Sequence, residues 1–104
     1  MVIKRDKLII SLKAKESLHG IVIYLKENAS PKIAEYVRKG ILERCKDLKN
    51  LSGYAHEPFL EDLPGEYYSI RKWDYIIIFT VNDKEIRVLN IIHSHRHPLS
   101  RQNL

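Results

Sequence analysis

DYIIIFTVNDKEIRVLNIIHSHRHP, residues 74–98, reads as two strands and the turn between them. Within residues 74–81, Tyr75 to Phe79 are apolar at consecutive rather than alternate positions. That is the pattern of a strand covered on both faces, and so central in its sheet. Asn82-Asp83 is a turn dipeptide. Residues 85–94 (EIRVLNIIHS) form the next strand, and Pro98, which has no N–H to give to a ladder, terminates it. Three of the chain's five histidines, His93, His95 and His97, close the stretch.

Working outward, residues 66–73 (EYYSIRKW) are a further strand, and Trp73-Asp74 is a tight turn or bulge leading into residues 74–81. Three strands joined by short turns imply an antiparallel meander. Residues 52–65 (SGYAHEPFLEDLPG), with two prolines and two glycines, are a long connection that Phe59 and Leu60 should pin to the core.

The first half of the chain has a different period. Residues 6–12 (DKLIISL) are a short strand. From Lys13 on, Leu18, Ile21, Val22 and Leu25 recur at helical spacing, which predicts an amphipathic helix ending near Asn28. Ser30 then caps a second helix, and Pro31 suits its first position. Its apolar stripe is Ala34, Val37, Ile41, Cys45 and Leu48, its other side carries Lys32, Glu35, Lys39, Glu43 and Lys46, and Gly53 ends it. Gly40, inside this helix, either admits a closely approaching element or is a tolerated weak point. The two-residue join makes the helices an antiparallel hairpin.

The expected fold is α+β in the order β-α-α-β-β-β, one domain over residues 1–104. An N-terminal helical hairpin packs on one face of a small, mainly antiparallel sheet. The first strand lies at an edge or beside the last strand. The opposite face is left to a partner.

The 104 residues are 44% apolar and 30% charged, as in ordinary globular proteins, and the formal net charge of +5 makes an anionic partner plausible. One cysteine, Cys45, excludes an internal disulfide and implies a reducing cytoplasm; its helical spacing makes it a buried small hydrophobe rather than a nucleophile. The N-terminus lacks an apolar signal region, and the longest apolar run, Tyr75 to Phe79, cannot span a membrane.

The histidine cluster admits several readings. On a strand, His93, His95 and His97 would share a face at intervals of about 6 to 7 Å. An H-x-H pair can ligate zinc, but no further ligand motif accompanies it, so no metal and no cofactor is expected. A metal-independent ribonuclease needs a base, an acid and cations on the phosphorane. His93 or His95 with Arg71 and Arg96 would supply these if neighbouring strands brought them together. Otherwise the strip is a basic strand end that contacts a partner through His95 and His97. Arg71, Lys72 and Trp73 form a basic–aromatic triplet in which Trp73 is either a contact or a packing residue.

An ordered series of motifs adds a resemblance. It comprises a first helix ending Val22-Ile23-Tyr24-Leu25, Ser30-Pro31 with Ala34, Leu63-Pro64-Gly65, a strand with Arg71, Asp74-Tyr75-Ile77-Phe79, and Val88-Leu89-Ile91-His93-Arg96. Over residues 5–97 the chain resembles the RelE/ParE superfamily of type II toxin–antitoxin toxins, closest to the ParE-like, plasmid-stabilisation branch. The resemblance implies a growth-inhibiting toxin and a cognate antitoxin, possible oligomers through that antitoxin, and no membrane. ParE-like toxins poison DNA gyrase, whereas RelE-like toxins cut mRNA on the ribosome. RelE-like members usually carry an arginine directly after the tyrosine of the Asp-Tyr motif, where this chain has Ile76, and a tyrosine after the last strand, where it has none beyond Tyr75. Both departures favour the gyrase-directed branch. The alternatives are a ribosome-dependent endonuclease, with Arg71, His93 and Arg96 as its catalytic set, and an inactive relic that only binds an antitoxin.

Overall fold

Strand β1, Lys7–Ile10, ends one residue before a serine that starts a helix. The Ser11 hydroxyl accepts the Ala14 N–H at 3.1 Å and itself donates to the Leu89 carbonyl at 2.9 Å. An extended strand through residue 12 is thus replaced by an N-cap, which satisfies orphan amides of helix α1, Leu12–Asn28. Ser30 caps α2, Pro31–Asp47, in the same way through the Ile33 N–H, with Pro31 in its first turn. A 3-10 turn, Leu48–Asn50, closes α2 short of Gly53, which lies outside the described residues.

The computed structural model describes residues 7–50, 55–56, 67–82 and 85–94. Its strands continue with β2, Ala55–His56; β3, Tyr68–Lys72; β4, Tyr75–Val81; and β5, Glu85–His93. The short β2, inside what the sequence presents as a connection, pairs with β3. The two glycines and two prolines around it hide a two-residue strand from any periodicity argument. The sheet order is β1-β5-β4-β3-β2. All pairs are antiparallel except β1 with β5. The first strand therefore lies both at an edge and beside the last one.

The expected helical stripes form the core. Ala14, Leu18, Val22, Ala34, Ile41, Cys45 and Leu48 are buried against Ile77, Phe79, Ile86, Val88 and Ile91 of the sheet. Burial pushes the Cys45 thiol up to about 12. Strand β4 is central, with Ile76, Ile77, Ile78 and Phe79 all buried. Ile77 and Phe79 face the helices, while Ile76 and Ile78 join Ile92 in a second cluster on the far face.

One irregularity governs the site. Ile78 lies opposite Asn90, but Phe79 lies opposite Val88, so Leu89 is an extra residue in β5. A straight strand would place His93 with Arg87 on the far face. The bulge reverses the alternation, and Val88 and Ile91, three residues apart, both face the helices. Asn90 at this bulge is 4% exposed. Its Oδ1 accepts the Ser17 hydroxyl at 2.6 Å and the Ile91 N–H at 2.9 Å.

Candidate functional site

Beyond the bulge, β5 runs under α1 and ends at His93. In the ladder Lys72 lies opposite Tyr75, and Tyr75 opposite His93. Directly opposed residues share a face, so Lys72, Tyr75 and His93 form a cross-strand row on the side that carries the helices. The imidazole of His93 meets the Tyr75 ring edge-on, with centroids 5.3 Å apart. Burial first, then the charge of Asp74 and the neighbouring Tyr24, raises the Tyr75 phenol above its ordinary value. A cleft of about 860 Å³ opens between the Tyr75–His93 end of this row and α1, walled on the helix side by Lys13, Ser17, Gly20 and Tyr24. Lys13 and Tyr24 are eleven residues apart on the helix, so the cleft follows α1 for roughly 16 Å.

The β3–β4 turn stands at the same end of the sheet. Trp73 occupies it with φ 52°, a left-handed backbone that bulky residues seldom adopt. Its indole lies against Gly40 of α2: a Cβ built on Gly40 would overlap the ring. The glycine thus admits a closely approaching element. The same ring meets Tyr36 at 5.4 Å with an interplanar angle of 34°, and the Lys72 ammonium sits 4.6 Å from its centroid. Arg44 of α2 reaches the Arg71 carbonyl at 3.4 Å, tying the end of β3 to the helix.

A helical hairpin capped by two serines, a meander broken at Leu89 and a parallel first strand are now in place. The model of a family described as "ParE toxin of type II toxin-antitoxin system, parDE" matches residues 8–98. The chain belongs to the ParE toxin family. A chain of the chromosomal ParDE toxin–antitoxin system from P. aeruginosa superposes with a TM-score of 0.70 at 24% identity, covering 84% of this chain and 94% of that one. A chain of the RelBE2 toxin–antitoxin complex from Mycobacterium tuberculosis gives 0.57 at 18% identity, covering 88% and 93%. At these identities both likenesses concern the fold. No curated protein sequence matches.

Within this ParE-family chain the expected site residues separate. Arg71 lies opposite Ile76, whose side chain belongs to the far-face cluster. His93 lies opposite Tyr75, which packs on the helix-face core. Arg71 and His93 therefore stand on opposite faces of the sheet. Arg96, His95 and His97 lie outside the described residues, so the row of three histidines is described only at His93. Among the described residues no group of three His, Cys, Asp or Glu side chains is placed to hold a metal ion. Among the described residues no helix is long and apolar enough to cross a membrane.

Sequence reasoning did not single out Lys13, Gly20, Tyr24 and Tyr36 as a set. Tyr24 and Tyr36 fall off the apolar stripes of their helices, which is the one available signal for side chains that face outward. Nothing in the sequence places them beside Trp73 and Tyr75, because that neighbourhood arises from the hairpin packing across the sheet.

Proposed function

We propose that this ParE-family toxin arrests growth by acting on DNA gyrase, through binding rather than hydrolysis, and that a cognate antitoxin holds it in check. The observation that carries the reading is the division of Arg71 and His93 between the two faces of the sheet. General acid–base cleavage of RNA requires a proton-transferring group and a phosphate-stabilising cation around one phosphorus atom, and a sheet layer stands between these two. Ile76, buried, occupies the position where RelE-like toxins carry an arginine. The antitoxin is supported by the P. aeruginosa and M. tuberculosis relatives, both described as parts of toxin–antitoxin systems. Trp73, His95 and His97 are the proposed contacts to a protein partner, and the cytoplasm is the proposed compartment.

The test is tightly controlled induction in a bacterium, with DNA and total RNA taken from the same culture. The expected result is arrest with relaxed or broken DNA and whole transcripts. Transcripts cut at codon-related positions would overturn the reading in favour of a ribosome-bound endonuclease. Undisturbed growth despite soluble protein would leave an antitoxin-binding module only.

A further inference from the structure

The end of the molecule that carries Trp73 has more exposed aromatic surface than packing requires. Tyr36 is 67% exposed, Tyr24 63% and Trp73 42%. Scattered single apolar residues on a surface need no explanation, but these rings are arranged. Tyr36 and Trp73 make a tilted pair on the outside of α2. The Lys72 ammonium lies over the Trp73 ring, and Lys72 also begins the row that runs through Tyr75 to His93. With neighbouring strands about 4.8 Å apart, the row leads about 10 Å from the platform into the cleft, where Tyr24 and Lys13 form the opposite wall. The Trp73 backbone is held in the strained left-handed region. Such strain persists only where surrounding contacts fix it, and it concentrates at sites of recognition.

We propose that this platform and cleft bind single-stranded nucleic acid, with bases stacked on Trp73–Tyr36 and on Tyr24, Tyr75 and His93, and with Lys72 and Lys13 on the phosphates. Stacking surfaces alternating with cations recognise any exposed base by its π face and any backbone by its charge. The formal charge of +5 draws such a polyanion to the chain. Three carboxylates lie nearby: Glu35 is engaged by Arg38 at 2.6 Å, Glu16 lines the cleft along with Lys13, and Asp74 follows Trp73 in the turn. Duplexes are excluded because their bases already stack on one another. DNA and RNA are bound alike, since no group in the row is assigned to the sugar. This shares Trp73 with the proposed protein contact, but it goes beyond the toxin's action on its target and does not depend on which target that is.

The chain has one tryptophan, so its emission reports the platform directly. Oligothymidylate and oligouridylate of roughly ten nucleotides, within the usual site size, are titrated into the purified full-length chain at low salt. Quenching is followed, and fluorescence anisotropy is measured with end-labelled oligonucleotides. Both oligomers should quench Trp73 and bind within about threefold of each other, and a duplex of the same length should not quench. Tyr36→Ala and Tyr24→Ala, at exposed positions that leave the core intact, should each weaken binding by about tenfold. Lys72→Gln should lower the slope of log affinity against log salt by about 0.7. Oligomers that bind without quenching, or bind both tyrosine variants as tightly as the wild type, would show diffuse charge attraction and overturn the proposal. So would a tenfold preference for one sugar, or quenching by a partner protein with none by either oligomer.

Discussion

Gly40 and Gly20 are both helical glycines, yet a methyl group at each has opposite consequences. A Cβ on Gly20 meets nothing within 4 Å, whereas one on Gly40 meets the Trp73 ring. Replacing an unhindered helical glycine with alanine relieves an entropic cost of about 0.5–1 kcal/mol, so Gly20→Ala should stabilise the fold by that amount. Gly40→Ala gains the same term but must push the indole off its seat and part it from Tyr36. Overpacking of this kind costs about 1–3 kcal/mol, which leaves the variant about 1 kcal/mol less stable than the wild type, with a shifted tryptophan emission. Urea melts of the two variants check this; equal stabilisation with unchanged emission would refute the seat. Cys45 gives a second expectation at this scale. Its thiol pKa lies above the unfolded value, raised from 9.0 to about 12 by desolvation. The folded state therefore holds the proton more tightly, and the associated stability is complete below pH 9 and lost as pH rises toward 12. Between pH 8 and pH 10 the loss should be on the order of 1 kcal/mol. In Cys45→Ala this part of the alkaline slope should vanish, whatever the cavity costs at neutral pH. An identical slope in both proteins would place the titration elsewhere.

At the scale of elements, the bulge in β5 and the start of α1 are one construction. Ser11 caps α1 while its hydroxyl and N–H bond to Leu89 and Val88, and Ser17, in the second turn of α1, bonds to Asn90. Asn90→Ala leaves the Ser17 hydroxyl and the Ile91 N–H without their shared acceptor in a buried setting. It should cost about 1–3 kcal/mol, measured by thermal or urea unfolding. Ser17→Ala combined with Asn90→Ala should cost less than the two separately, because each single change already breaks their bond; additive costs would mean that the contact contributes nothing. These elements also show how far a sequence can be read. The helical stripes and the doubly apolar β4 were legible, because burial on one helix face or both sheet faces writes itself into periodicity. The meander was legible from Asn82 and from the Trp73-Asp74 turn. The bulge was not. Leu89 differs in no local property from its neighbours, and its role comes from bonds to Ser11, 78 residues away in the chain. Strand β2 was hidden for a related reason, since two residues carry no period.

For the whole molecule, that single extra residue decides which side chains can act together. Strict alternation along β5 would have put His93 on the far face with Arg71, as a nuclease would require. The bulge turns it to the helix side, against Tyr75. The candidate site was legible in the sequence only as an inventory of residue types. Trp73 and His93 were visible as notable residues and Gly40 as either a point of close approach or a weak point, but their neighbours Tyr36 and Tyr24 came from the packing of the helical hairpin across the sheet. The separation of the two faces has a consequence for activity that single substitutions cannot reveal. Residues of one catalytic centre act as a unit, and removing the second after the first costs little more. Residues on opposite faces, with no shared partner, contribute independently. Arg71→Ala and His93→Ala should therefore multiply. On the proposed gyrase reading, the double variant's loss of potency against purified gyrase, read as the concentration needed to halve supercoiling, should equal the product of the single losses within about twofold. A double variant no weaker than the worse single one would mean that both residues serve one site. The two faces would then have to be bridged by residues 95–97 or by the target itself.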